Sequence, residues 1–417
     1  MKVLWITNIL FPEAGQLLSN TNELKASGGW MLGLADRLTQ IEGLELYVAT
    51  VSREVKSLSR LEGENIVYYV RPWGKGNLQV NDGYIPYWQQ IEKEVMPDIV
   101  HIHGTEYSHG HAYLNATQNI KKVVISIQGL TSAYAPYYHH GMTELDILKN
   151  MTCRDFIRGG ILSGKRDFEK RGAFEVEMIH KVKHIIGRTS WDRSKVWAIN
   201  PEAEYHFCNE ILRKEFYSGE GWNYECCSKH TIFLSQANYP IKGLHQVLRA
   251  LAIIKHHYPD TNVRIAGRDI INTSSIKDRA LLLGYGKYIK RMLRTLELDD
   301  CVVFTGNLNA SQMVQEYLNA NVFVCPSSIE NSPNSLGEAQ ILGVPCVASY
   351  VGGTMDMMQG FEDYLYRFEE VEMLAEKVCS IFKLEHNAPN MSEIAMSRHD
   401  PQINGSVLYD IYQKVIG

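Results

Sequence analysis

Val322-Phe-Val-Cys-Pro-Ser-Ser-Ile-Glu330-Asn-Ser-Pro-Asn-Ser-Leu-Gly-Glu338-Ala-Gln-Ile-Leu-Gly343-Val-Pro345 joins a short apolar run to a polar loop and then to a helix-forming stretch. The run reads as a buried strand ending near Pro326, and the helix begins near Asn334. In open α/β sheets, ligands sit outside the carboxyl ends of the strands, where this loop falls. Ser332, Asn334 and Ser335 are residue types that cap a helix, and the free N–H groups and dipole of a helix start favour an anion such as pyrophosphate. Glu330 on the loop and Glu338 in the first helical turns then face one pocket, where carboxylates accept hydrogen bonds from sugar or ribose hydroxyls. The plain alternative is that Ser and Asn are ordinary caps and Glu338 complements the helix dipole.

Outward from this stretch, short apolar runs alternate with helix-period segments from end to end. Strands are expected at 3–7, 44–50, 66–70, 99–103, 123–127 and 184–187 in the first half. In the second half they are expected at 231–235, 262–266, 301–305, 322–325 and 345–348. Helical patterns lie between them, among them 30–38, 244–257, 311–319 and 335–342. Near-continuous Val/Ile/Leu strands are those of a parallel sheet covered on both faces. Two successive β-α-β series predict an α/β fold of two Rossmann-like, doubly wound parallel-sheet domains with a cleft between them. The expected boundaries are a first domain over 1–208, a polar, glycine-bearing linker over 209–229 and a second domain over 230–401. A C-terminal helix at 402–417 is expected to pack back on the first.

The chain has 417 residues, 45% hydrophobic and 21% charged, enough for large cores. Its net charge of −5 gives no global reason to expect a nucleic-acid partner. The start, MKVLWITNILFPE, is interrupted by Thr7 and Asn8 and reads as a buried strand rather than a signal peptide. No stretch approaches the roughly 18–20 apolar residues that span a bilayer. Eight cysteines without C-x-x-C spacing suggest free thiols in a reducing compartment, hence a cytoplasmic protein. No cluster has zinc-like spacing, and D-x-D and G-x-G-x-x-G are absent. Gly159-x4-Gly164-Lys165 resembles a phosphate-binding loop, but Arg166 stands where a magnesium-binding Ser or Thr is needed.

The stretch from Glu330 to Glu338 resembles the E-x7-E signature of the retaining glycosyltransferase family 4, which has the GT-B fold. That resemblance implies that Glu338 binds the ribose hydroxyls and that Glu330 contacts the transferred sugar. Backbone amides over Asn331, Ser332, Asn334, Ser335 and Leu336 would hold sugar and phosphate. Gly343-Val-Pro345 and Val351-Gly352-Gly353-Thr354 sit where the family has its A-x-G-x-P and x-G-G turns. A second match is Phe233-Leu-Ser-Gln-Ala-Asn-Tyr-Pro-Ile-Lys242-Gly243. A lysine beside a strand-to-helix turn supplies a point charge for a diphosphate leaving group, and the family's lysine in that role maps to Lys242. The family's arginine five residues earlier is replaced by Ala237, so one cationic clamp is missing. A lysine at a helix start with no ligand is the plain alternative.

In the first half, Gly28 and Gly29 precede an amphipathic helix; they allow close backbone approach and resemble the family glycines that meet the donor diphosphate. A tight turn without a ligand explains them equally well. Pro97-Asp-Ile-Val-His101-Ile-His103-Gly104 looks like the family's strand ending in a histidine on the acceptor side. Alternation places His101 and His103 on one face, and a hydrogen-bonded core histidine is the competing reading. Gln128, in Ser126-Ile-Gln128-Gly129, stands on the acceptor side where relatives carry histidine. Arg188 and Asp192 either line the cleft or cap a helix, the latter being favoured. From Lys149 to Lys195 there are twelve Lys/Arg and six Asp/Glu. This basic 149–195 region is expected to touch an anionic membrane or a lipid-diphosphate-linked acceptor, or else to be a solvated helical face.

Taken together, the expected reaction is front-face displacement with retention from a nucleotide-sugar, UDP-linked by family habit, to a glycan or lipid-linked acceptor in bacterial surface polysaccharide assembly. Lys242, Glu330 and His103 are the expected catalytic residues, without metal or other cofactor. Localisation is expected to be cytoplasmic, with peripheral contact at the inner membrane face left open. A sugar-nucleotide epimerase, a phosphorylase and a non-catalytic nucleotide- or glycan-binding member remain alternatives.

Overall fold

The computed structural model describes residues 1–19, 29–73 and 82–417. Gly28 therefore lies outside the described residues, whereas Gly29 opens the helix Gly29–Thr39.

The first sheet has eight strands: β1 (Lys2–Ile6), β2 (Glu45–Ser52), β3 (Ser59–Glu62), β4 (Ile66–Pro72), β5 (Ile99–His103), β6 (Val123–Ser126), β7 (His184–Gly187) and β8 (Glu204–Phe207). Their order is β3-β4-β2-β1-β5-β6-β7-β8, parallel except for the antiparallel β3–β4 pair. The second sheet has six parallel strands: β9 (Thr231–Leu234), β10 (Asn262–Ile265), β11 (Val302–Phe304), β12 (Val322–Cys325), β13 (Cys346–Ser349) and β14 (Leu365–Tyr366). Their order is β11-β10-β9-β12-β13-β14. Each sheet is wound outward from its first strand in one direction and then in the other. The winding reverses between β1 and β5 and again between β9 and β12, and ligands bind at the carboxyl ends of such switch points.

Central strands are buried along their whole length because helices cover both faces. All five residues of β5 are buried, as are Val3 to Ile6 of β1. Trp88, Ile91 and Val95 sit at i, i+3 and i+7 of the helix Ile85–Val95, which lays that stripe on the core with Leu4, Ile102 and Ile125. Each such side chain contributes roughly 1.5–3 kcal/mol through burial. The strands that sequence patterning missed are β3, β8 and β14. They are edge strands, short and polar or half-exposed, so they lack the apolar run that marks a covered strand.

The chain divides into two compact units. The first comprises Met1–Ala133, Asp167–Arg213 and Arg398–Gly417; the second comprises Tyr134–Arg166 and Lys214–Ser397. This corrects the expected boundaries: residues 134–166, placed by sequence within 1–208, pack in the second unit. There Thr152 Oγ1 donates to the Leu282 carbonyl at 3.0 Å, and the Gly284 amide donates to Asp155 Oδ1 at 3.0 Å. Hydrogen bonds across more than a hundred residues leave no local trace in a sequence. The basic 149–195 region is consequently divided between the units at residue 166, and the stretch 209–229 between them at residue 213. No helix among the described residues is long and apolar enough to cross a membrane.

The last helix, Pro401–Ile416, belongs to the first unit. Its Tyr412 hydroxyl accepts from Trp5 Nε1 at 2.8 Å and meets His101 Nδ1 at 2.6 Å, all of them buried. Removing that hydroxyl strands two buried polar atoms, each costing about 1–3 kcal/mol. Tyr412→Phe is therefore expected to lower the first unit's stability by at least about 1 kcal/mol, read by denaturant titration of Trp fluorescence. An unchanged midpoint would mean the helix is not anchored there.

Candidate functional site

After β9 the chain runs through Ser235 to a single turn, Pro240–Lys242, and Gly243 then starts the helix Leu244–Ile254. Gly243 has φ 69°, and a Cβ there would lie 1.8 Å from the Pro326 carbonyl oxygen. Only glycine lets the loop after β9 press this closely on the end of β12. The Ser328 amide completes the junction by donating to the Ile241 carbonyl at 2.8 Å.

This junction brings Lys242 Nζ to 2.5 Å from Glu330 Oε1, the two side chains being 13% and 9% exposed. Ser327 Oγ donates to the same carboxylate oxygen at 2.8 Å. Glu330 is fixed from its other side as well. The Gly353 amide donates to its carbonyl at 3.1 Å, and a Cβ on Gly352, at φ 54°, would fall 1.8 Å from that oxygen. Burial, the largest single influence, would lower the ammonium's pKa; the charge and hydrogen bond of Glu330 together with Tyr239 more than offset it and hold Lys242 above the ordinary lysine value. Lys242 is thus a permanent cation whose counter-charge is Glu330.

The helix Asn334–Ile341 starts beside Glu330, as expected, but its capping differs. Pro333 occupies the cap and no side chain caps the helix. Ser332 Oγ instead faces Met357 Sδ at 3.7 Å. The Leu336 amide is held by the Pro333 carbonyl at 2.9 Å and its side chain is fully buried, so Leu336 supports the turn from within the core. Asn334 and Ser335 supply the first-turn amides, which precede the helix's own hydrogen-bond ladder. Glu338 is 6% exposed, and the Tyr317 hydroxyl donates to the Ser335 carbonyl at 2.9 Å while lying 3.4 Å from Glu338 Oε2. Asn331 is buried on the loop between the two acidic residues. The structure therefore gathers Lys242, Glu330, Asn331, Ser332, Asn334, Ser335 and Glu338 at one switch point of the second unit. Ala237, where an arginine was expected from resemblance, is fully buried.

The first unit has a small cavity of about 20 Å³ at the ends of β5 and β6, lined by His103, Gln128, Arg188 and Glu210, among others. His103 stacks on His101 at 3.9 Å between ring centres and packs at a tilt against Trp5 at 4.2 Å. Its buried Nε2 has no hydrogen-bond partner. Burial, reinforced by His101, His109 and Arg188, holds its pKa well below the usual imidazole value, so it is neutral. His101 is different: it bridges Tyr412 and Ser126 Oγ and reads as a core histidine. Asp192 closes a capping box with Thr189, as favoured from sequence. Arg188 lines the cavity, pairing with Glu210 at 2.9 Å and reaching the Ile127 and Gln128 carbonyls.

Sequence reading passed over Glu106, three residues beyond His103. Its carboxylate accepts from the Gly129 amide at 2.9 Å and is pushed up to about 7, chiefly by burial and then by Glu175. An acidic residue just past a strand end was the available signal. Among the described residues, His184, Glu204 and His206 have ligand-type atoms within 4.8 Å of one another. They lie on β7 and β8 of the first unit, with Glu204 engaged by Lys183 at 2.6 Å, and take no part in the second-unit cluster.

Residues 228–398 match the family model described as glycosyl transferases group 1. Sulfoquinovosyl transferase SQD2 from Arabidopsis thaliana is 33% identical over 104 residues, which are 24% of this chain and 20% of that protein. Among solved structures, sucrose-phosphate synthase from Thermosynechococcus elongatus aligns over 99% of this chain and 98% of its own, at 14% identity and a TM-score of 0.65. WaaG, a glycosyltransferase involved in lipopolysaccharide biosynthesis, aligns over both chains in full at 14% identity and a TM-score of 0.62. The E. coli structure described as trehalose-6-phosphate bound with UDP-2-fluoro glucose covers 99% of each chain at 10% identity and a TM-score of 0.62. The α/β fold with its two parallel sheets matches GT-B glycosyltransferase structures over the whole chain, and the group 1 match falls on residues 228–398 of it.

The Lys242–Glu330 pair makes a direct prediction. Glu330→Gln leaves a buried ammonium without its counter-charge and is expected to cost roughly 3–5 kcal/mol, read as a fall in thermal stability. Adding Lys242→Met should restore much of it. Equal stability of Glu330→Gln and the wild type would show that the pair is solvated.

Proposed function

We propose that this protein moves a hexose from a nucleotide-sugar, a UDP-sugar by preference, to a glycan or lipid-diphosphate-linked acceptor in bacterial surface polysaccharide assembly. The observation that carries the reading is the Lys242–Glu330 pair beside the start of the helix Asn334–Ile341, at the reversal of strand order in the second unit. A cation and the backbone amides of a helix start are what a diphosphate requires, and Glu338 stands within the same helix for ribose hydroxyls.

In the proposed reaction the donor diphosphate takes over Lys242, and Glu330 turns to hydroxyls of the transferred sugar. The acceptor oxygen bonds to the anomeric carbon as the bond to the diphosphate breaks. That diphosphate takes the acceptor's proton, and both events occur on one face of the sugar, so configuration is retained. Lys242 and the amides of Asn334 and Ser335 stabilise the charge that develops on the leaving group. His103, neutral and with an unpaired nitrogen, offers a hydrogen bond to an acceptor hydroxyl, and Gln128 offers a second. A lysine and backbone amides supply the positive charge for which other transferases use a metal ion, so activity is proposed to persist in EDTA.

A thermal-shift series with UDP, GDP and ADP tests the donor assignment on wild type, Glu338→Ala and Lys242→Ala. One nucleotide at a hundredfold excess over its Kd should stabilise the wild type by about 2.7 kcal/mol, and Glu338→Ala should lose most of that shift. Lys242→Ala should lower kcat on the order of 10²–10³-fold. If Glu338→Ala responded to nucleotide as the wild type does, the ribose assignment would fail.

A further inference from the structure

Part of the second unit exposes large apolar side chains of a kind usually covered. In the helix Glu144–Asn150, Ile147 points inward, while Leu145 and Leu148 are 57% and 60% exposed. The following helix, Cys153–Arg158, carries Phe156 and Ile157 at 77% and 79% exposed. Ile276, at 85%, opens a third helix, Ile276–Leu281. A fourth, Gly284–Thr295, buries Tyr285, Tyr288, Ile289 and Leu293 and turns Lys287, Arg291 and Arg294 to solvent, with no acidic residue among its twelve.

These helices form one surface. Lys287 Nζ donates to the Lys149 carbonyl at 3.3 Å, and Arg291 pairs with Asp146 at 2.9 Å. The Thr152–Leu282 and Asp155–Gly284 hydrogen bonds close the other end. Over residues 144–158 and 276–295 there are nine Lys/Arg and four Asp/Glu, a net of +5 in a chain whose total is −5. Three of the four acidic side chains are already engaged: Asp146, Asp155 and Asp278 close capping boxes. What remains for a partner is positive charge interleaved with isolated, protruding apolar groups.

We propose that this face of the second unit docks on an anionic lipid bilayer. Phe156, Ile157, Leu145 and Leu148 enter the boundary between headgroups and acyl chains, and the lysines and arginines meet lipid phosphates. A second copy of the chain fits less well, because like faces of net positive charge repel and the apolar groups are spaced by cations rather than gathered into an interface core. The surface differs from the 149–195 stretch expected from charge alone. It shares only residues 149–158 with that stretch, and it adds the basic helix Gly284–Thr295, which sequence distance conceals. It extends the transferase reading by bringing the donor-binding unit itself to where a lipid-linked acceptor resides, but its test does not depend on turnover.

Co-sedimentation of the full-length protein with phosphatidylcholine vesicles, with and without phosphatidylglycerol, provides that test. Binding is expected only to the anionic vesicles and should weaken as salt is raised. The exposed pairs Phe156→Ser/Ile157→Ser and Lys149→Glu/Arg294→Glu are each expected to weaken it by about tenfold or more. The nucleotide-induced thermal shift should be unchanged in both, which separates failure of this surface from failure of the donor site. Equal binding to both vesicle types, or variants that bind as the wild type does, would overturn the proposal. So would a dimer in solution that Phe156→Ser/Ile157→Ser dissolves, since the surface would then belong to a second copy.

Discussion

A lysine ammonium and a glutamate carboxylate, 2.5 Å apart and largely out of water, organise the second unit's switch point. Either charge alone would be expensive at that depth, so neither Lys242 nor Glu330 is stable there without a partner. Their approach depends on two glycines. Gly243 lets the loop after β9 close on the end of β12, and Gly352 lets the loop after β13 close on Glu330. Ser327 and Ser349 tie the same loops together, Ser349 Oγ donating to the Ser327 carbonyl at 2.5 Å. The pair is therefore held by backbone on several sides, which is how a cation is kept in place before an anionic ligand arrives. In the proposed reaction a diphosphate replaces Glu330 as the counter-charge of Lys242.

The first unit solves a different problem. Its central strand β5 and the helix that follows, Ser108–Ala116, carry imidazoles where the charged form is disfavoured, and burial pushes His101 down to about 3 and His109 down to about 4. Both groups stay neutral in the fold and gain protons more readily once unfolded, so their contribution to stability is complete above the unfolded histidine pKa and is lost as pH falls below it. His101 spends its two nitrogens on Tyr412 and Ser126, whereas His103 keeps one uncommitted beside Gln128 and Arg188. Two histidines on one strand face thus separate into a structural and an available one by their partners alone.

Much of this was legible in the sequence because it is local. Buried parallel strands announce themselves as apolar runs, and β5, β7 and β12 begin and end where patterning put them. Glu330 and Glu338 could be set on a loop and a helix from the transition at Pro326 to Asn334. The capping was less legible. Ser332, Asn334 and Ser335 all have capping chemistry, but Pro333 takes the cap position; the Ser332 hydroxyl faces Met357 and the Ser335 carbonyl accepts from Tyr317, both of them partners distant in sequence. The docking of residues 134–166 in the second unit and the meeting of Asp155 with the start of the helix Gly284–Thr295 were concealed for the same reason. Hydrogen bonds such as Asp155–Gly284 join segments about 130 residues apart, and no periodicity encodes them.

A crystal structure of the protein with UDP measures the central claim most directly. The account predicts the diphosphate oxygens within hydrogen-bonding distance of Lys242 Nζ and of the amides that open the helix at Asn334, with the ribose hydroxyls on Glu338 and the Lys242–Glu330 contact opened. A nucleotide bound elsewhere, or bound with Lys242 still closed on Glu330 and the helix start untouched, would contradict it.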